Sequence, residues 1–320
     1  MLHQTILGID IGGTKCAVAL GRSDGKILGR KAMATEVDRL SPQDVLERLA
    51  AIARELMAST KDADRPIGVG VSCGGPLDTK TGIIHSPPNM PEWKAVPVRA
   101  FFEKALKLPV RIENDANATA LAEWKYGAGK GTQNFVFLTM GTGIGGGLIL
   151  DGRLYRGTND LAGEIGHQTI LMNGPLCGCG KRGCLEALAS GPAIARLARE
   201  SMVYGRHKKV LALAGGRPAD ITAAHVVEAA NSGDAFARQI LEEAGTYMGL
   251  GIANVIQILN PERIALGTIA VHAGEHILNP IRAAVAEYAW KRSADVCQIL
   301  PAALGDEAQD LAAIVLWSVE

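Results

Sequence analysis

Thr5-Ile-Leu-Gly-Ile-Asp10-Ile-Gly-Gly-Thr14-Lys-Cys-Ala-Val-Ala-Leu20 is the stretch that decides how this chain is read. Two apolar runs meet at Gly12-Gly13-Thr14. The spacing predicts a β-hairpin with Asp10 at the end of its first strand. A carboxylate followed by small residues suits magnesium and phosphate. Asp10 can hold the metal's waters, and Gly12 to Thr14 can approach phosphate oxygens closely. A Gly-Gly-Thr turn can also do no more than join two strands. The pattern returns at Asn134-Phe-Val-Phe-Leu-Thr-Met-Gly141-Thr142-Gly143-Ile-Gly-Gly-Gly-Leu-Ile-Leu-Asp-Gly-Arg153, again as strand, glycine turn and strand. There Gly141, Thr142 and Gly143 offer backbone amides and a hydroxyl to phosphate. Flexibility alone would not need two apolar flanks. No Gly-x4-Gly-Lys-Ser/Thr loop occurs.

Between these units, Lys26 to Glu36 reads as a strand after the Asp24-Gly25 turn. Ser41-Pro42 opens a helix through about Met57, with Ser41 as N-cap and Pro42 at its first position. Ile67 to Ser72 is a buried strand that ends in the turn-rich loop Cys73-Gly74-Gly75-Pro76-Leu77-Asp78. Asn89 follows a proline pair, where Asn is a common turn former. Pro109 to Glu113 is a strand, and Asn114-Asp115-Ala116-Asn117 leads from it into a helix. An Asp at such a junction is often the N-cap. It also lies at the C-terminal edge of a strand, where α/β folds build their sites. Further on, Ser190-Gly-Pro starts a helix through about Val203, and 204–220 read as a surface connection. Thr222 and Asp234 cap two more helices. The second runs from Ala235 to about Leu259, and its Gly245, Gly249 and Gly251 predict close packing against the other lobe.

His167, Cys177, Cys179 and Cys184 fall within one short, glycine-rich stretch. A Cys3His set suits a closed tetrahedral zinc site. The spacing Cys-x-Cys-x4-Cys is uncommon among zinc fingers, and a disulfide is the competing reading. Glu164 and Glu186 flank the cluster, although a purely structural zinc loop needs no carboxylates.

The 320 residues suffice for one large domain or two ordinary ones. Hydrophobic content of 48% and charged content of 21% are ordinary for a globular enzyme. Thirty-three basic residues balance 33 acidic ones, which argues against a nucleic-acid surface. No apolar run is long enough for a transmembrane helix, and no secretory leader is evident. Free thiols beside a thiolate cluster fit a reducing cytoplasm. The isolated Cys16, Cys73 and Cys297 read as buried small hydrophobes.

Gly163-Glu164-Ile165-Gly166-His167 followed by Cys177-x-Cys179-Gly180-x-x-Gly183-Cys184-x-Glu186 resembles the signature of the ROK family of sugar kinases and sugar-responsive repressors. Asp10-Ile-Gly-Gly-Thr-Lys15 is similar to the first phosphate motif of actin-like sugar kinases. Glu113-Asn114-Asp115-Ala116-Asn117 looks like the ROK motif that carries the general base. The resemblance covers essentially the whole chain. It implies an α/β, two-lobed actin-like (ribonuclease H-like) fold with a zinc loop at 167–186. Residues 1–116 plus 303–320 would form the first lobe and 117–302 the second, with the last helix packed back on the first.

The resemblance implies an ATP-dependent hexose kinase with Asp115 as general base. Sugar ligands would be Gly75, Asn89, Asn114, Asp115, Glu164, His167 and Glu186. Nucleotide contacts would come from Asp10, Gly12, Gly13, Thr14, Lys15, Gly141, Thr142, Gly143 and Gly267. Zinc would be structural, held by His167, Cys177, Cys179 and Cys184, and Mg2+ would accompany ATP between the two hairpin units. A homo-oligomer, a dimer first, is implied, with no nucleic-acid or membrane partner. Glucose ranks first as acceptor. N-acetylmannosamine or N-acetylglucosamine, then fructose, follow. Two further readings are a polyphosphate-using glucokinase and a non-catalytic repressor. The short stretch before the first strand argues against the repressor. One departure stands out. Family kinases carry Gly-Gly-Gly where this chain has Gly267-Thr268-Ile269, near the adenine.

Overall fold

The computed structural model describes residues 3–60, 64–87, 89–202 and 207–319. The strands in chain order are β1 (Thr5–Ile11), β2 (Lys15–Arg22), β3 (Ile27–Ala34), β4 (Val69–Cys73), β5 (Leu77–Asp78), β6 (Ile83–Ile84), β7 (Val96–Pro97), β8 (Val110–Asn114), β9 (Phe135–Leu138), β10 (Gly146–Leu150), β11 (Arg153–Leu154), β12 (Arg263–Leu266) and β13 (Gln298–Pro301). The helices are α1 (Pro42–Ala58), α2 (Val98–Leu106), α3 (Asp115–Tyr126), α4 (Leu185–Ala189), α5 (Gly191–Glu200), α6 (Lys208–Leu213), α7 (Ala223–Asn231), α8 (Ala235–Leu259), α9 (Ile269–Ala273), α10 (Glu275–Tyr288), α11 (Lys291–Ala294) and α12 (Ala308–Val315). Contacts divide this α/β chain into two units. The first holds the residues up to Gly131, Gly147–Ala162 and those from Ala303 on. The second holds Thr132–Gly146 and Gly163–Ala302.

In the first unit the sheet order is β3-β2-β1-β4-β8. β1, β2 and β3 form an antiparallel meander, while β4 and β8 run parallel to β1. The central strands β1 and β4 are almost continuously buried, as apolar runs covered on both faces must be. One face takes α1. Ser41 caps it through a capping box with Asp44, and its stripe of Val45, Leu46, Leu49, Ala53 and Leu56 is buried. The other face takes α12. A Cβ on Gly70 would stand 1.8 Å from the Ala313 carbonyl oxygen, so the backbone of this helix rides directly on β4. The last helix therefore packs on the first unit, as its sequence implies.

α3 ties this return in place. Glu123 is fully buried, and its carboxylate accepts from the backbone N–H groups of Ala303 at 3.0 Å, Leu304 at 2.9 Å and Ala128 at 2.9 Å. Removing the carboxylate would take the shared acceptor from three part-buried donors.

In the second unit β12 lies between β9 and β13, all parallel. α8 is capped by Asp234, which accepts from Ala237 N at 2.8 Å, and stops at Asn260 in a left-handed conformation. Gly245 and Gly249 admit close packing, though not against the other lobe as the sequence led us to expect. Added Cβ atoms would meet the carbonyl oxygens of Ile277 at 3.0 Å and Ile281 at 2.5 Å, both on α10 of the same unit. Small residues on a helix mark a close approach without naming the partner. The stretch 204–220 also carries more structure than a surface connection, because α6 lies in it with Val210 buried. Residues 203–206, where α5 was expected to end, lie outside the described residues. Among the described residues no helix is long and apolar enough to cross a membrane.

We predict that Glu123→Ala lowers unfolding free energy by about 1–3 kcal/mol, because part-buried donors lose a charged acceptor that water replaces only in part. Glu123→Gln should cost clearly less, because it keeps acceptor capacity. Urea unfolding of both variants checks this, and equal losses would refute it.

Candidate active site and metal centre

The first unit gathers several of the expected residues at the ends of its strands. Asp10 pairs with Ala17 on β2 and Ser72 on β4. The turn after it is held from β3: Thr35 Oγ1 donates to Gly12 O at 2.6 Å, and Thr35 N donates to Thr14 O at 3.0 Å. A Cβ on Gly13 would stand 2.7 Å from Asn89 Cβ and 2.9 Å from its carbonyl oxygen. The glycine turn and the Asn89 loop are thus in direct contact, although the sequence assigned one to phosphate and the other to sugar. Pro88, the other half of that Pro-Asn motif, lies outside the described residues. Thr14, Lys15 and Asn89 are exposed.

At the β8–α3 junction the N-cap is Asn114, not Asp115. The Asn114 side chain accepts from the N–H groups of Ala116 at 2.9 Å and Asn117 at 3.3 Å. Asp115 is the first helical residue, and its Oδ1 accepts from Ala116 N at 2.8 Å. Capping therefore falls to its neighbour, which leaves Oδ2 of Asp115 uncommitted to the helix end. Gly75 lies against this turn, since a Cβ there would be 3.2 Å from Asn114 Nδ2.

Besides burial, the charge of Asp115 raises the cost of ionising Asp10. Burial, then the charge of Asp115, push Asp10 up to about 7 against the opposing hydrogen bond of Ser72. Asp115 is exposed at the surface of its side chain, yet the protein crowded round its carboxyl still raises its pKa. N–H groups at the helix start and the Asn114 side chain pull the other way. Paired carboxylates whose charges repel make a favourable place for a divalent cation, so the residues fit Mg2+ held through Asp10.

Sequence reasoning missed Glu113 and Arg156. Glu113 is 1% exposed and binds Arg156 Nε at 2.7 Å. The available signal was period two, which Glu113 breaks: Arg111 falls on the exposed side of Val110-Arg-Ile-Glu-Asn114, and the buried positions continue from Val110 and Ile112 into charged Glu113.

In the second unit, His167, Cys177, Cys179 and Cys184 bring their ligand atoms within 4.8 Å of one another. Cys179 and Cys184 sulfurs are 3.7 Å apart, and Cys177 Sγ is 3.7 Å from His167 Nδ1. In a tetrahedron with Zn–S of about 2.3 Å the sulfurs are about 3.8 Å apart, so this set fits zinc. A disulfide bond is excluded at such a distance, and all six cysteines are free. The loop is shaped by Gly183, at φ +72°, whose Cβ would fall 1.7 Å from Leu171 O. Burial first, with the neighbouring thiols, pushes Cys177 up to about 12. The backbone N–H of Lys181 lowers exposed Cys179. Metal binding must therefore displace thiol protons.

The two flanking carboxylates differ. Glu164 is exposed, 3.7 Å from His167 Nε2. Glu186 is engaged by the protein: Oε2 accepts from Ile144 N at 2.9 Å, and Cys177 Sγ lies 3.5 Å from Oε1. It joins the thiol cluster to the Gly141-Thr142-Gly143 turn. A Cβ on Gly143 would meet the same Oε2 at 2.6 Å, so this glycine is required by Glu186 before any phosphate is considered. Gly141 is different: a Cβ there would make only an ordinary contact with Thr268 Cγ2 at 3.7 Å.

Gly267 packs against the Phe137 ring, whose Cζ would lie 3.0 Å from an added Cβ. Thr268 takes φ +53° and ψ −107°, a conformation that favours glycine and strains a β-branched residue. The chain therefore keeps the backbone of a glycine turn while carrying a threonine. Thr268 lines a cavity of about 720 Å³ with Val227, Glu228, Asn231, Ile269 and His272.

A family model described as the ROK family matches residues 6–320. A glucokinase of Thermotoga maritima is 37% identical over 308 residues, spanning 96% of this chain and 95% of the relative. A glucokinase of Halalkalibacterium halodurans is 36% identical, spanning 96% and 93%. Among solved structures, a ROK family glucokinase from Streptomyces griseus in complex with glucose and AMPPNP superposes with TM-score 0.83 at 32% identity, covering 98% of each chain. The chain belongs to the ROK family, with the α/β architecture of its glucokinases.

Two outcomes are expected. The purified protein should hold about one zinc per chain, and Cys179→Ser should lower metal content and weaken retention further as pH falls, because protons compete for the ligands. Metal analysis across pH reads this, and full zinc in the variant would refute the ligand set. Thr268→Gly should raise unfolding free energy by about 1 kcal/mol, since relief of about 1–3 kcal/mol of backbone strain exceeds the flexibility glycine adds to the unfolded chain. A lowered Tm would count against the strain.

Proposed function

We infer that this chain is an ATP-dependent hexose kinase whose preferred acceptor is glucose and whose general base is Asp115. Hexose kinase activity rests on glucokinase relatives alike over nearly the whole chain. The finer assignment is supported by the β8–α3 junction, where Asn114 takes the cap and Asp115 spends only Oδ1 on the first helical N–H.

Phosphoryl transfer joins a sugar hydroxyl oxygen to the terminal phosphorus and breaks the bond from that phosphorus to its bridging oxygen. The hydroxyl proton must leave as the new bond forms, and Asp115 accepts it. A pKa held above the usual carboxylate range makes Asp115 a better acceptor than an exposed aspartate. Asn89, Asn114, Glu164 and Glu186 offer amides and acceptors that match the hydroxyls of a neutral pyranose. His167 keeps Nδ1 for the metal cluster, which leaves Nε2 for a sugar hydroxyl. Mg2+, when bound, would neutralise phosphate charge, with Asp10 holding it through water. The turns Gly12 to Thr14 and Gly141 to Gly143, with Lys15, would receive the phosphates through the amides of Gly13, Thr14, Thr142 and Gly143. Gly12 N and Gly141 N already donate, to Lys15 O at 3.2 Å and to Gly143 O at 3.0 Å respectively. Gly267 would lie by the base. The zinc is structural, holding the loop of Glu186.

Asp115→Asn should reduce kcat about 10²- to 10⁴-fold while sugar binding is largely kept. In the parent enzyme the base works only when deprotonated, so activity falls as pH drops through its raised pKa. The acid limb of kcat should therefore lie above the ordinary aspartate value of about 3.9. A coupled ADP-release assay over glucose, fructose and N-acetylated hexosamines, with polyphosphate as alternative donor, reads both points. Turnover of Asp115→Asn near the parent rate would place the base elsewhere. A higher kcat/KM for an N-acetylated sugar would overturn the choice of glucose.

A further inference from the structure

We propose that Glu113 and Arg156 form a positioning pair that sets the orientation of Asn114 and Asp115. The proposal rests on the reading of those two residues as acceptor ligand and base. The Glu113 carboxylate is engaged at both oxygens. Oε1 accepts from the backbone N–H of Asn114 at 3.0 Å and from Asn117 Nδ2 at 3.1 Å. Oε2 accepts from Arg156 Nε at 2.7 Å. One buried carboxylate thus grips the last residue of β8 and the first turn of α3, on either side of Asp115.

A charge buried to this degree is costly unless paired, and an apolar residue would serve packing better. What an apolar residue could not do is fix the Asn114 peptide plane and the Asn117 amide together. Arg156 is itself held by its surroundings. Its carbonyl accepts from Ala162 N at 3.0 Å, and in the same loop Asp160 accepts from Thr79 N at 3.0 Å and Thr79 Oγ1 at 2.9 Å. Asp115 depends on a turn held through a guanidinium that is not among the proposed sugar or phosphate ligands. Small errors at a reacting oxygen are expensive, and a displacement of about 1 Å can cost about 10²-fold in rate.

Arg156 is 41% exposed and lines a cavity of about 840 Å³, together with Lys80, His85, Arg99 and Arg111. None of the proposed sugar ligands lines this cavity. A small cation can therefore reach the place that a truncated Arg156 would vacate, without entering the acceptor site.

The experiment is chemical rescue. Arg156→Ala should lose about 10- to 100-fold in kcat/KM for glucose, the scale expected of misplacement rather than of losing the base. Millimolar guanidinium chloride should restore activity several-fold and saturably, while sodium chloride at equal concentration should not. Glu113→Gln keeps the Oε1 acceptor but offers no charge to the cation. It should lose activity too and show no rescue, and the double variant should be no worse than the more impaired single one. Tm measured alongside separates misplacement from unfolding. Parent-like kcat and KM in folded Arg156→Ala would overturn the pair, as would equal rescue of Glu113→Gln. Hexose Kd is measured on the same samples. If the parent binds hexose without phosphorylating it, the kinase reading fails, and the pair then stands or falls on guanidinium rescue of Kd in Arg156→Ala.

Discussion

A helix that begins where a strand ends leaves backbone N–H groups with no partner in either element. At the β8–α3 junction these groups are met by side chains of consecutive residues: Asn114 takes two, Asp115 takes one, and Glu113 takes the N–H of Asn114. The rest of the first unit is arranged around this satisfaction. β4 lies beside β8 in register, so Gly75 follows it against the Asn114 amide. β1 lies beside β4, which places Asp10 near enough to feel the charge of Asp115. One local requirement of the backbone thus assembles carboxylates and amides that would otherwise be scattered over a hundred residues of sequence.

The second unit solves a comparable problem with thiols. A loop of glycines has little apolar surface to bury, and four ligands around one ion would replace the missing core. Glu186 makes that arrangement more than an anchor. It begins α4 next to Cys184, lies beside Cys177 and receives the Ile144 N–H of the glycine turn. Loss of His167 or the thiols would disturb the carboxylate and, through it, the Gly141-Thr142-Gly143 turn. The thiol cluster and the glycine turn are therefore joined through one carboxylate.

The Thr268 turn puts a conformation that glycine adopts easily on a β-branched residue. The conformation is that of a glycine, and the β-branched side chain bears the strain. β12, pinned between β9 and β13, and the start of α9 leave the connecting peptide little freedom to relax. The same side chain reaches towards Gly141 and lines the cavity beside α7, so its cost is borne at the edge of a space suited to a ligand.

Local chemistry was legible in the sequence. The Asp10 hairpin follows from two apolar runs around glycines, α1 from Ser41-Pro42, and the thiol cluster from the closeness of its ligands in the chain. These features depend on neighbours a few residues away, and the residue types state them. The sequence left capping open as a competing role for Asp115, because both Asn114 and Asp115 can cap and only the strand's exact end gives the cap to Asn114. It sent the α8 glycines to the wrong partner, since a small face records proximity and not identity. It passed over Glu113, whose partners Asn117 and Arg156 lie four and 43 positions away. It assigned Glu186 to sugar alone, although Ile144 N, 42 residues earlier, holds one of its oxygens. Hydrogen bonds of that span are set by how strands and helices stack. Stacking is a property of the whole unit's packing and is written in no single stretch of the chain.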